Sequence, residues 1–167
     1  MEFILMRHGI AVEPEEWQGE EALRPLTEKG RAKTREAAEG LAALGIKPTA
    51  LLSSPFTRAH ETAEIVHQAL GCKRAIQICD ELTPDRKPED VLALLEKLGK
   101  KTCVVCVGHE PLLGALAGLF LFGKSTTNLA FRKAGACCIT FDDVPMSGKG
   151  QLDWWLRPSI LRSLKDV

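Results

Sequence analysis

Arg7, His8 and Gly9 follow directly on a short apolar run, Phe3-Ile4-Leu5-Met6. A brief β-prone run of this kind reads as a buried strand, which sets Arg7 and His8 at its C-terminal mouth. Each of the three residues has a chemical use there. The Arg7 guanidinium is a rigid fork of donors suited to phosphate. The His8 imidazole is partly uncharged near neutral pH and is then a nucleophile. Gly9 permits a sharp turn or the close approach of a ligand to the backbone. The plainer alternative is a strand end whose charged residues reach water.

Two further segments carry residues of the same kind. Ser53-Ser54-Pro55-Phe56-Thr57-Arg58 ends one strand-like run, and Gly108-His109-Glu110-Pro111 ends another, each just before a helix. In open α/β sheets, ligands sit beyond the carboxyl ends of the strands. Helix N-termini bring free amides and partial positive charge to that same rim. Two arginines, two histidines and two helix starts are thus expected to meet, and together they would attract a doubly charged anion such as a phosphoryl group. Singly, each has a plainer reading. Arg58 would pair with Glu61 or Glu64, His109 would cap a helix, and Arg24 would decorate a loop. His60 and His67, one or two turns past Arg58, read as surface residues.

The elements that must position these groups alternate in type. After the first strand, a polar stretch from Glu13 to Pro25 reads as a long surface loop. Thr27 is placed to cap a helix whose Ala37, Leu41 and Leu44 share a face, with Gly45 as its stop. Ala50–Ser53 is the second strand, and Ser54-Pro55 is expected to cap and open a helix running to Ala69. Ala75–Cys79 reads as a weaker strand and Pro88–Leu98 as a helix closed by Gly99. Cys103–Val107 is a fourth strand, after which Pro111 starts another helix. Ala136–Phe141 and Leu152–Leu156 look like an edge hairpin, and Ser159 is expected to cap a short C-terminal helix. The pattern predicts one domain over 1–167, an α/β three-layer sandwich around a mostly parallel sheet with an antiparallel edge.

The bulk properties exclude some functions. At 167 residues the chain is long enough to bury a core without staples, and 22 Lys plus Arg against 22 Asp plus Glu leave no overall field for nucleic acid or an anionic membrane. The longest apolar stretch, Leu112 to Phe122, is too short to span a bilayer. With no leader apparent, the six cysteines are expected to be reduced and the protein cytoplasmic. Cys103 and Cys106 have the spacing of redox and zinc sites, but they lie in a strand-like run with no second such pair. No metal is expected there.

Together, Arg7-His8-Gly9, the block from Ser53 to Thr62 and Gly108-His109-Glu110 resemble the histidine phosphatase superfamily, with its phosphoglycerate-mutase-like fold. The segments Arg24-Pro25-Leu26-Thr27, Glu81-Leu82-Thr83-Pro84 and Gly108-His109-Glu110-Pro111 are similar to the SixA-type phosphohistidine phosphatase branch. The resemblance implies that His8 attacks phosphorus while Arg7, Arg58 and His109, the last protonated, hold the equatorial oxygens. It implies a further phosphate contact from Arg24, with Gly9 close by, and no metal or organic cofactor. Glu81 or Glu110 is a candidate proton donor. The substrate so implied is phosphohistidine on a protein such as a histidine-phosphotransfer domain, acted on by a monomer. The alternatives are a small-molecule phosphomonoesterase of the same superfamily and a non-catalytic phosphoprotein-binding module.

Overall fold

Alternate residues of the first strand, β1 (Glu2–Arg7), enter different cores: Phe3 and Leu5 join one apolar cluster, Ile4 and Met6 another. A strand covered on both faces has no polar alternation, which is why its apolar run is continuous. The computed structural model describes residues 1–99 and 103–166. Residues 100–102 and 167, which belong to the expected single domain, lie outside the described residues.

The other elements are α1 (Glu28–Ala43), β2 (Ala50–Ser53), α2 (Thr57–Ala69), β3 (Gln77–Ile78) and α3 (Pro88–Lys97), then β4 (Cys103–Gly108) and α4 (Leu112–Phe122). The chain ends with β5 (Ala136–Thr140), β6 (Gln151–Leu156) and α5 (Pro158–Leu164). They build one six-stranded sheet in the order β3-β2-β4-β1-β5-β6. The first four strands of that order are parallel, and β5 and β6 form the antiparallel edge. One face is covered by α3 and α4, through residues such as Val91, Leu95, Leu116 and Phe120. The other is covered by α1, α2 and α5, through Ala37, Leu41, Ala63, Val66 and Leu161. The three-layer arrangement is as expected. Each fully buried Leu, Ile or Phe contributes roughly 1.5–3 kcal/mol, and β1 and β4 supply the centre of both layers.

Thr27 caps α1 by accepting from the Gly30 amide at 2.9 Å, as its position predicts. Other boundaries differ. The first turn of α2 begins at Thr57 with no side-chain cap, because the N-cap position falls on Phe56, which has no side-chain oxygen, rather than on Ser54. Pro158 rather than Ser159 opens α5, a position where proline's missing amide costs nothing. The third strand shrinks to Gln77–Ile78 at the sheet's edge. Apolar all round, α4 is a buried helix, and among the described residues no helix is long and apolar enough to cross a membrane. The pleat also separates the paired cysteines. Cys103 faces one core and Cys106 the other, and Cys137 and Cys138 divide in the same way. Neither pair presents two sulfurs to one point.

Close approach of backbone to backbone sets the height of β1's mouth over α1. A Cβ on Gly30 would lie 1.9 Å from the Ile10 carbonyl oxygen, and one on Gly9 would lie 2.2 Å from Thr34 Oγ1. Gly30→Ala is therefore expected to lower stability by about 1–3 kcal/mol and to depress activity as well, since the clash pushes on the segment after His8. Urea unfolding and turnover of the purified variant check this; a variant as stable and active as the parent would refute it.

Candidate active site

Backbone bonds align the ends of three neighbouring strands. Arg7 sits opposite Gly108 and Ser53 opposite Val107 in the parallel ladders. The His8 amide donates to the Gly108 carbonyl at 3.0 Å and the Ser54 amide to the Val107 carbonyl at 3.0 Å. The three segments singled out in the sequence thus leave the sheet side by side. They open on a cavity of about 260 Å³ lined by Arg7, His8, Arg24, Arg58, His109 and Glu110, with Glu13, Pro14, Pro84 and Lys133 around them.

His8 is 6% exposed. Its Nδ1 lies 2.8 Å from the Gly9 carbonyl, which only accepts, so Nδ1 carries the proton and Nε2 carries the lone pair. His109 is 1% exposed, and its ring centroid is 5.0 Å from that of His8. Its Nε2 meets Ser54 Oγ at 2.8 Å. Phe56 packs edge-on against the His109 ring at 5.2 Å, and the Arg58 guanidinium lies 5.1 Å from the centre of the same phenyl ring.

Burial governs the charge of both imidazoles. Desolvation, with Arg58 and Arg7 nearby, takes His8 down to about 3, against the Gly9 hydrogen bond that raises it. Desolvation followed by the charges of His8, Arg58, Arg7 and Arg24 takes His109 down to about 2. Without a bound anion, burial and the surrounding cations thus favour the neutral form of His109. Burial also lowers the proton affinity of Arg7 and Arg58, which remain cations.

Arg7 Nη1 donates to the Phe131 carbonyl at 2.8 Å. Arg58, 4% exposed, is held by the Glu21 carbonyl at 3.0 Å and pairs with the Glu21 carboxylate at 3.1 Å. It does not pair with Glu61 or Glu64: Glu61 instead binds Arg31 and the Leu26 amide. Arg24 joins the site through two hydrogen bonds to Glu21, at 2.9 and 2.7 Å, and one to the Val12 carbonyl. The long loop that carries Arg24 is closed at its base by a bridge between Ala11 and Leu26.

Four buried side-chain atoms have no hydrogen-bond partner among the described residues, and three of them belong to this cavity's walls: Arg7 Nε, Arg58 Nε and His109 Nδ1. Buried polar groups are ordinarily paired, so three such atoms on residues of one cavity's wall set that wall apart from the rest of the interior.

Some expected residues lie elsewhere. Gly9 sits behind His8, with its carbonyl on the ring and its amide donating to Thr62 Oγ1 at 3.0 Å. Its lack of a side chain serves packing on α1, not contact with a ligand. Glu81 lies on the short turn Asp80–Leu82, whose buried Leu82 turns it towards a separate depression with Asp80, Arg86 and Asp90. Glu110 does line the cavity. Its Oε1 accepts from the Phe131 amide at 2.9 Å, and burial raises its carboxyl above the usual range. His60 and His67 lie along α2, outside the cavity's walls.

Sequence reasoning missed Glu21, Lys133 and Glu13. Glu21, three residues before Arg24, offered a local signal for that pair and none for its pairing with Arg58. Lys133 lies 3.5 Å from Glu13 across the mouth, a long-range contact with no local signature.

Comparison with known proteins agrees with this geometry. A family model described as "Histidine phosphatase superfamily (branch 1)" matches residues 3–83, the stretch that holds Arg7, His8, Arg24 and Arg58. The phosphohistidine phosphatase SixA of Escherichia coli (strain K12) is 30% identical over 169 residues, covering 100% of this chain and 100% of that one. The chain belongs to the histidine phosphatase superfamily, and with it to the phosphate-hydrolysing enzymes. A solved structure of the protein histidine phosphatase SixA complexed with tungstate superposes with a TM-score of 0.85 at 29% identity, over 96% of this chain and 99% of the other. A mycobacterial glucosyl-3-phosphoglycerate phosphatase shares the fold at a TM-score of 0.69 and 20% identity, over 93% and 98% of the two chains.

Both imidazoles bind protons less well folded than unfolded, where the ordinary value is 6.5. Their contribution to stability is complete above that pH and is lost as pH falls towards about 3 for His8 and about 2 for His109. Each ring then removes up to ~1.4 kcal/mol per pH unit. Urea unfolding between about pH 7 and about pH 5 is expected to show a shallower loss in His109→Asn than in the parent. Equal slopes would refute the assignment.

Proposed function

We propose that this enzyme removes the phosphoryl group from phosphohistidine on a protein, by way of a phosphohistidine formed on its own His8. The observation that carries the reading is the convergence of Arg7, Arg24, Arg58 and His109 on one cationic cup with His8, whose Nδ1 is held by the Gly9 carbonyl and whose Nε2 keeps the lone pair. Phosphoryl transfer needs little covalent help from a protein beyond a nucleophile; positioning and charge stabilisation supply most of the rate.

His8 Nε2 forms a bond to phosphorus as the phosphorus–nitrogen bond of the substrate breaks. The departing ring already carries a proton on its other nitrogen, so it takes the bonding electron pair and leaves neutral. Arg7, Arg58 and His109 receive the three equatorial oxygens, and Arg24 draws the dianion towards them. Water then cleaves the bond from His8 to phosphorus and releases inorganic phosphate.

Size and framing favour a protein-borne substrate. Pockets that enclose drug-sized ligands hold about 300–1,000 Å³, whereas this cavity of about 260 Å³ suits a phosphoryl group and its ring presented from outside. The likeness to a phosphohistidine phosphatase along the full length supports the same substrate class.

A second reading, a small-molecule phosphomonoesterase, draws on Glu110. An alkoxide leaves poorly without a proton donor, and Glu110 is a cavity carboxyl whose burial favours its protonated form. Turnover of a phosphohistidine protein beside a panel of phosphate esters separates the two. The proposal expects strong preference for the former and little effect of Glu110→Gln. An ester turned over with equal efficiency, and lost in Glu110→Gln, would install the second reading.

His8→Ala is expected to abolish both turnover and acid-labile labelling by a phosphodonor. Undiminished turnover would exclude covalent catalysis at His8. Arg58→Ala is expected to cost about 10²–10³-fold in turnover, the size typical of one preorganised electrostatic donor. A loss under about threefold would remove Arg58 from the machinery. Incubation with a chelator is expected to leave activity unchanged.

A further inference from the structure

Ser54 ends the second strand's excursion fully buried, and its hydroxyl oxygen lies 2.8 Å from His109 Nε2. A count of unmatched groups among the described residues favours one donor: with the imidazole donating, the hydroxyl proton and the Nδ1 lone pair both lack partners, and with Ser54 donating only the Nδ1 proton does. The Phe56 amide already donates to Ser54 Oγ at 3.3 Å. Among the described residues, the hydroxyl proton has no acceptor other than His109 Nε2. Were the imidazole to donate as well, the oxygen would take two incoming protons and its own would be buried without a partner. Leaving such a proton unmatched is costly. Donation from Ser54 to Nε2 leaves nothing stranded on that side of the ring.

The consequence falls on the other nitrogen. With Nε2 accepting, a neutral His109 carries its proton on Nδ1, which is buried and has no partner in the protein. Ser54 does not line the cavity, whereas His109 does. One nitrogen is therefore engaged by Ser54, and the other, on a residue of the cavity wall, is engaged by no group among the described residues. In the opposite tautomer, Nδ1 would present a lone pair to the phosphoryl oxygens and repel them.

We infer that Ser54 is a positioning residue that sets His109 in the Nδ1–H tautomer, so that the nitrogen without a protein partner carries a proton for a phosphoryl oxygen. The inference rests on the phosphoryl-transfer reading of the cavity, but the tautomer itself is a property of the empty protein. Even a neutral ring then has one proton to give, provided it sits on the correct nitrogen.

The test is imidazole nitrogen NMR on the whole protein labelled with ¹⁵N-histidine, near neutral pH and without ligand. His109 Nε2 is expected to show the unprotonated signature and Nδ1 the protonated one. A protonated Nε2 in the parent would overturn the inference without any variant. Titration with inorganic phosphate is expected to shift the Nδ1–H resonance downfield, and no shift would remove the donor role. In Ser54→Ala the two nitrogens are expected to average, and phosphate affinity to drop about fivefold or more, with Ser54→Thr retaining the parent pattern. An unchanged spectrum in Ser54→Ala would overturn it as well. None of these readouts uses phosphohistidine, so failure of the substrate assignment shows only in the turnover comparison, and failure of the tautomer only here.

Discussion

Arg7, Arg24 and Arg58 converge on one cup, which Glu13 and Glu110 also line, and the half-exposed Glu21 carboxylate bridges Arg24 and Arg58. Lys133 adds a fourth cation at the mouth, facing Glu13. Burial first, and then the nearby cations, lower the proton affinity of the two imidazoles. Such a site is held together by the scaffold around it, and it is relieved by an anion. In the proposed reaction the same cations would attract the entering phosphoryl group. Function at this site is therefore bought with stability that the two apolar layers must supply.

The scaffold meets that demand with backbone geometry. Parallel pairing of β1 with β4 and of β4 with β2 fixes three strand ends in register, so Arg7, His8, Ser54 and His109 leave the sheet at one level. Ala134 donates back to the His8 carbonyl at 3.0 Å, which ties the turn before β5 to the nucleophile. Gly9 and Gly30 let the chain after His8 lie directly on α1. None of these contacts touches a substrate. Their role is to hold two buried imidazoles with chosen faces outward, which side-chain contacts alone do poorly.

Hydrogen-bond direction then assigns distinct work to two chemically identical rings. The Gly9 carbonyl takes the His8 proton on Nδ1 and exposes the lone pair of Nε2. Ser54 engages His109 on Nε2 and leaves Nδ1 without a partner. In the proposed reaction one histidine is the nucleophile and the other a donor, with their rings 5.0 Å apart. A leaving imidazole that departs neutral suits this arrangement, because no cavity acid is then required.

Much of this was legible in the residue order. Continuous apolar runs followed by Arg7-His8, Ser53-Ser54 and Gly108-His109 located the strand ends, since burial on both sheet faces forces such runs and polar residues can only follow them. Thr27 marked its helix start because capping is a local bond. The sequence alone also grouped His8, Arg58 and His109 by the general rule that ligands sit beyond parallel strand ends. Other features depended on contacts between distant segments, which no local pattern encodes. Glu21 rather than Glu61 became Arg58's partner, Glu81 turned away from the cavity while Glu110 faced it, and Gly9 proved a packing residue. The charge of His109 was likewise undecided until folding, because a ring's proton affinity is set by its desolvation and by neighbours that only the tertiary structure brings within reach.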